Sequence, residues 1–237
     1  MRRNKLAVVT GASSGIGLAT ARALASSGLR VFLVGRDARR LATAVRALPR
    51  GRVAGSAVAD LSSLDELRAL ILEVLRLGHV DLLVHGAGEY DWSESGRFDP
   101  QRFARLFDVN VRAPYLLTQG LLVPLARAKG QVVFVNSSIV KGAGQGLALY
   151  KSTQHALQGL AESLRQDLNR RGIRVTSLFL GRTATPRMAR IYRREGKRYQ
   201  PGLLMSAADV ARVVANLAEL PAGIEITDLH LRSVHRY

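Results

Sequence analysis

The sequence predicts an α/β fold: a doubly wound parallel sheet of about seven strands with helices on both faces. Three observations predict it. Short apolar runs alternate with amphipathic stretches along nearly all of the 237 residues. The runs are near-continuous in β-branched residues and leucine, as strands covered on both faces require. The stretches between them have helical length and start signals, so right-handed crossovers join successive strands.

The elements follow in order. LAVV (6–9) is the first strand, and TGASSGIG (10–17) leads from it into a helix over 15–27. VFLV (31–34) is the second strand, followed by a helix over 37–48. RVAGSAV (52–58) is a weaker third strand. The helix over 63–77 starts at Ser62 or Ser63, ahead of Asp65 and Glu66, an N-terminal capping pattern. VDLLV (80–84) precedes a long helical segment over 99–128. Pro100 suits its first turn, and Pro114 is expected to kink it. VVFV (132–135) is followed by the turn-rich SSIVKGAGQG (137–146) and a helix over 148–171. IRVTSLFL (173–180), a helix over 206–219 capped by Ser206 ahead of Asp209, and IEITDLHL (224–231) complete the pattern. No repeat or low-complexity linker intervenes, so one domain over residues 1–237 is expected.

Composition narrows the function classes. No apolar run reaches the roughly 18–20 residues of a membrane span. MRRNKLAVVT (1–10) has no long apolar stretch with a small-residue cleavage site, so it reads as a strand start and not a signal peptide. The absence of cysteine excludes disulfides and thiolate metal sites, and the five histidines have no ligand spacing. A cytoplasmic protein without metal or membrane is expected. The formal charge is +17, and 30 of the 35 basic residues are arginine. That balance fits either an arginine-rich codon bias or an acidic partner.

The glycine loop carries the first functional signal. Gly11, Gly15 and Gly17 stand between a first strand and a first helix. There glycines let a pyrophosphate approach, and the helix start offers free N–H groups and a positive dipole end. The second strand ends in GRD (35–37). An acidic side chain at that place suits a free ribose 2′-hydroxyl. Arg36, with Arg39 and Arg40 behind it, suits a phosphate. NADPH is therefore preferred over NADH, with Asp37 alternatively a helix cap. Asp60, in VADL (58–61), is either an adenine-side residue or the cap of the next helix.

The order TGASSGIG, HGAG (85–88), Asn110 in DVNVRAP (108–114), VNSS (135–138) and Tyr150 resembles that of the short-chain dehydrogenase/reductase family. The resemblance covers about residues 5–231 and extends to GRTATP (181–186), similar to the loop after the sixth strand. It implies a single NAD(P)-binding Rossmann-type domain and carbonyl reduction. In that family a tyrosine hydroxyl gives a proton to the carbonyl oxygen, a serine polarises that oxygen, and an asparagine holds a relay water. A lysine four residues after the tyrosine binds the nicotinamide ribose and lowers the tyrosine pKa. The first three roles fall to Tyr150, to Ser137 or Ser138, and to Asn110. Ser137 is preferred, since it lies 13 residues before the tyrosine. The cofactor residues implied are Gly11, Ser13, Ser14, Gly15, Ile16, Gly17, Arg36, Asp60, Leu61, Gly86, Ala87, Gly88, Gln154, Gly181, Thr183 and Thr185.

The lysine is missing. YKSTQ puts Gln154 at its position, and Lys151 is one residue on, about 100° around a helix. A nearby cation depresses a phenol pKa by about 1–3 units, so its loss should harm alcohol oxidation more than carbonyl reduction. Three readings stand: a slow NADPH-dependent ketoreductase, a cofactor-binding but redox-silent partner subunit or non-redox catalyst, and an engineered knock-out of an ordinary enzyme. Two lesser departures are His85-Gly86 for the family's paired asparagines and Leu180 for its proline.

Residues 182–198 carry a net +6 and are expected to form the substrate lid, over about 182–205. An anionic or carrier-protein-bound carbonyl substrate would suit that charge, as would a simply solvated basic helix. Nucleic acid is not the expected partner, because no aromatic interleaving or binding motif accompanies the charge. Glu89, Tyr90, Trp92 and Leu147 are candidate pocket residues. Relatives imply a homodimer or homotetramer through the 99–128 and 148–171 helices.

Overall fold

The computed structural model describes residues 5–92, 99–142 and 145–235. Residues 1–4 of the N-terminal stretch and 143–144 of the turn-rich segment lie outside them. Seven parallel strands form the main sheet: β1 (Leu6–Thr10), β2 (Arg30–Gly35), β3 (Val53–Val58), β4 (Leu82–His85), β5 (Gln131–Ser137), β6 (Arg174–Leu180) and β9 (Asp228–Leu231). Their order is β3-β2-β1-β4-β5-β6-β9. A two-stranded parallel pair, β7 (Thr183–Ala184) with β8 (Met205–Ser206), stands apart from it. The helices are α1 (Gly15–Ser26), α2 (Ala38–Arg46), α3 (Leu64–Leu75), α4 (Pro100–Phe107), α5 (Ala113–Gly120), α6 (Leu122–Ala128), α7 (Ala148–Asn169), α8 (Pro186–Arg194) and α9 (Ala207–Glu219).

Alternate side chains of one strand feed opposite layers. Val8, Phe32, Leu83, Val132 and Phe134 pack with α3, α5 and α7 residues such as Leu70, Leu117 and Leu164. Ala7, Val9, Leu33, Val84 and Val133 pack with Leu24 of α1, Leu41 of α2 and Val214 of α9. Burial on both faces is why these strands read as continuous apolar runs. Among the described residues no helix is long and apolar enough to cross a membrane.

Two expected elements come out differently. The 99–128 segment is not one kinked helix but α4, a π-helical turn over Asp108–Arg112, α5 and α6. Pro114 has no N–H for the Asn110 carbonyl, and the Ala113 N–H reaches back to the Asp108 carbonyl instead. The strand expected over 224–231 shortens to Asp228–Leu231. There the Glu225 carboxylate takes the Val175 N–H at 2.6 Å, a donor that a ladder carbonyl would otherwise take. Ser63 caps α3, accepting from the Glu66 N–H, while the Ser62 hydroxyl bonds Asp60. Ser206 caps α9 through the Asp209 N–H.

The strand order reverses between β1 and β4. In open sheets of this kind ligands bind outside the carboxyl ends at that switch point.

Candidate active site

Two adjoining cavities open at the switch point, of about 440 and about 380 Å³. The larger is built on the glycine loop. Gly11 has φ +70°, and a Cβ there would lie 2.8 Å from the Gly86 carbonyl oxygen. A Cβ on Gly17 would lie 2.3 Å from the Gly11 carbonyl oxygen. Both positions require glycine, and both bring backbone close to the cleft. The start of α1 has no side-chain cap hydrogen bond from Ser14, which leaves its first N–H groups available to an anion. Thr10 ties this loop to the β4 turn, its hydroxyl accepting from the Gly86 and Ala87 N–H groups at 3.1 Å.

Gly11, Ser13, Ser14, Gly15, Ile16, Gly17, Arg36, Asp60, Leu61, Gly86, Ala87, Gly88 and Thr185 all line this cavity. Arg40, Arg187 and Arg190 join them. Asp37 caps α2 by accepting from the Arg40 N–H, the helix-cap alternative for that residue. Asp60 is held by Ser62 and by Arg105 at 3.1 Å. Burial pushes its carboxyl up, but those hydrogen bonds outweigh it and hold the group below the usual range. A cradle of glycine backbone, free helix N–H groups and converging arginines fits a dinucleotide carrying an extra phosphate.

The smaller cavity holds the catalytic candidates. Tyr150, Ser137, Ser138, Asn110 and Gln154 all line it, with Gly181, Thr183 and Thr185. Tyr150 sits in the first turn of α7, and Gln154 follows one turn on, 5% exposed. Ser137 lines the same wall as Tyr150 and pulls its hydroxyl down, while its own hydroxyl accepts from the Ile139 N–H at 3.3 Å. That acceptance leaves the hydroxyl proton free for an oxygen in the cavity. Burial pushes the Tyr150 hydroxyl above its ordinary value, against the opposing pull of Arg187 and Ser137. The Tyr90 ring packs on it at 5.0 Å between centroids.

Asn110 lies in the π-helical turn, 2% exposed. Its side chain brackets Glu89, accepting from the Glu89 N–H at 2.8 Å and donating to the Glu89 carbonyl at 3.0 Å. It also donates to the Thr153 hydroxyl at 3.0 Å, which in turn donates to the Tyr150 carbonyl at 2.7 Å. Gln154 donates to Thr153 at 3.4 Å, a long contact. Lys151 turns away and donates to the Gly142 carbonyl at 2.5 Å. His85 does not line either cavity. It is buried against Phe134, 2.8 Å from the Thr118 hydroxyl, and burial pushes its pKa down to about 3.

The charge of the 182–198 segment is spread over several tasks. Glu195 takes both Arg182 at 2.9 Å and Lys197 at 3.0 Å. Arg194 lies over the Trp92 ring at 4.5 Å, so Trp92 meets the lid and does not line the cavity. Arg187 donates to the Gly88 carbonyl and lines both cavities, whereas Arg190 lines the dinucleotide side alone. Glu89, Tyr90 and Leu147 line the smaller cavity as expected. Sequence reasoning missed the cleft-facing Arg187 and Arg190, the Arg105 bracket and Thr153. The i, i+3 spacing of Arg187 and Arg190 was a usable signal for one helix face.

The sequence profile of the short chain dehydrogenase family matches residues 5–196. The chain belongs to the short-chain dehydrogenase/reductase family of oxidoreductases. It is 34% identical to a granaticin polyketide synthase putative ketoacyl reductase of Streptomyces violaceoruber, over 78% of this chain and 70% of that one. An alcohol dehydrogenase of the archaeon Thermococcus sibiricus, complexed with 5-hydroxy-NADP, superposes with a TM-score of 0.86 at 27% identity, covering 98% of each chain. An actinorhodin polyketide ketoreductase with NADPH superposes with a TM-score of 0.87 at 27% identity, covering 96% of this chain and 95% of that one.

Proposed function

We propose that the protein is an NADPH-dependent carbonyl reductase that works without the usual lysine. The observation carrying this reading is that Tyr150, Ser137 and Asn110 line one cavity adjoining the arginine-lined cleft built on the glycine loop. A nicotinamide bound where the two cavities meet would supply the hydride. Tyr150, held protonated by burial, donates its proton to the substrate oxygen. Ser137 places a second donor on the same oxygen, and Ser138 lines the wall beside it. Asn110 fixes the turn of α7 that carries Tyr150, through Thr153. Gln154 offers an amide where the family has a cation, so a ribose hydroxyl keeps a hydrogen-bond partner and the phenol loses an electrostatic one. The relatives named as ketoacyl reductases and the neighbours bound to NADP derivatives support the same reading.

The substrate is a small carbonyl compound that fits among Tyr90, Leu147, Met188 and Ile191. Arg187 can meet an anionic group there, whereas Arg182 is already matched by Glu195. Self-association through α4, α5 and α7 accords with the exposed Phe103 and Tyr115.

A second reading, a cofactor-binding protein without turnover, draws on the raised Tyr150 pKa and the weak contact of Gln154. The deciding experiment is a fluorescence titration with NADPH and NADH, followed by a ketone screen with NADPH. Tight NADPH binding with ketone turnover supports the reductase. Binding without turnover of any ketone favours the second reading, and no binding at millimolar cofactor overturns both.

A further inference from the structure

Glu89 reaches in two directions. Its carboxylate accepts from Arg36 Nη1 at 2.6 Å and from Arg105 Nη2 at 2.9 Å. Arg105 is braced independently by Asp60 and by the Ser62 hydroxyl at 2.9 Å. The Glu89 backbone is pinned at both its N–H and its carbonyl by Asn110. Glu89 lines both cavities, and Arg36 comes to it from the far wall, at the end of β2. Their ion pair therefore spans the mouth of the dinucleotide cleft. One arm of it is anchored. The other, the Arg36 side chain, is 64% exposed and able to swing.

We propose that Glu89 is a specificity-determining residue, a latch on Arg36 that is opened by a ligand bringing its own phosphate to that guanidinium. The proposal rests on the dinucleotide reading above. A phosphate monoester carries more charge than a carboxylate and three acceptor oxygens, so it outcompetes Glu89 for a planar guanidinium. Opening the latch leaves no stranded charge, because Arg105 still faces the Glu89 carboxylate. A ribose 2′-hydroxyl is neutral and offers Arg36 nothing in exchange, so with NADH the latch stays shut. Selectivity is a difference of affinities. Here the attraction to Arg36 creates that difference, and the exchange of one anion for another trims it, because only NADPH has to open the latch.

The test is a double-mutant cycle on Arg36 and Glu89, read by fluorescence titration with NADPH and NADH at fixed salt. Glu89→Gln should tighten NADPH about two- to fivefold, the worth of an exposed ion pair, and leave NADH nearly unchanged. The gain should vanish in the Arg36→Ala background. Glu89→Asp keeps a carboxylate for Arg105 but shortens its reach, and should move NADPH in the same direction. Thermal melts confirm that each variant is folded. Equal shifts for both cofactors, persistence of the gain without Arg36, or no shift in either Glu89 variant overturns the latch alone. Failure of the unsubstituted protein to bind either cofactor overturns the latch together with the reading beneath it.

Discussion

Gln154→Lys is the most informative substitution in the protein. Residues 150 and 154 are one turn apart on α7 and share the smaller cavity, which places their Cβ atoms about 5–6 Å from each other. A lysine there can bring its ammonium to about 4–5 Å from the phenol oxygen. At an effective dielectric of about 20, that charge is worth about 4 kcal/mol to the phenolate. Desolvating the ammonium at a position only 5% exposed offsets part of this. A depression of the Tyr150 pKa by about 1–3 units remains. The phenolate fraction at pH 8 then rises by about tenfold or more, and with it the rate of alcohol oxidation. Carbonyl reduction uses the protonated form, abundant in both proteins, and should gain far less. The assay is a pH–rate profile in both directions, with Tyr150→Phe as the blank, joined to an ultraviolet titration of phenolate. An oxidation profile that keeps its position on the pH axis in Gln154→Lys would refute this reasoning, and so would an equal gain in both directions.

Two further outcomes are expected. Arg187→Ala removes a charge that pulls the Tyr150 pKa down, so the oxidation limb should move to higher pH, and an unmoved ultraviolet titration would contradict this. His85 is neutral when buried, with a pKa near 3, whereas the unfolded chain takes a proton near 6.5. Its contribution to stability is therefore present above about pH 6.5 and is lost as pH falls toward 3, by about 2 kcal/mol at pH 5. Urea unfolding should show that slope, and His85→Asn should flatten it; equal slopes in both proteins would count against the assignment.

Much of the fold was legible because of where the strands lie. β1 is buried at all five of its residues, and a strand with no wet face must be written in apolar residues. β9 was over-read, because IEITDLHL has strand composition while half of it bonds through side chains instead. Glu225 is the residue that makes the difference. The catalytic candidates were reached through the family resemblance, and Tyr150, Ser137, Asn110 and Gln154 line one cavity although Asn110 sits in a π-helical turn that periodicity did not foretell. Spacing to Tyr150 favoured Ser137 over Ser138, and both line the cavity where β5 gives way to the 3-10 turn over Ser138–Lys141. The lid was the least legible part. Its seven cations look alike in sequence, yet Glu195 and Trp92 engage three of them, and Arg187 and Arg190 turn to the cleft. Such long-range pairings leave no trace in local pattern.

The small sheet of β7 and β8 has a consequence for how such a protein can diversify. Its strands flank the lid, pairing Thr183 with Met205 and Ala184 with Ser206, so the chain leaves the body and returns to it within one strand spacing, about 4.8 Å. Residues 185–204 thus form a detachable cassette with a fixed socket. A segment of different length or polarity transplanted there should leave β6 and α9 in place, while changing the part of the tyrosine's cavity wall formed by Arg187, Met188 and Ile191. The exchange carries a second effect: Arg187 and Arg190 travel with the cassette, so a graft made to widen the range of substrates also trades away two arginines of the dinucleotide cleft.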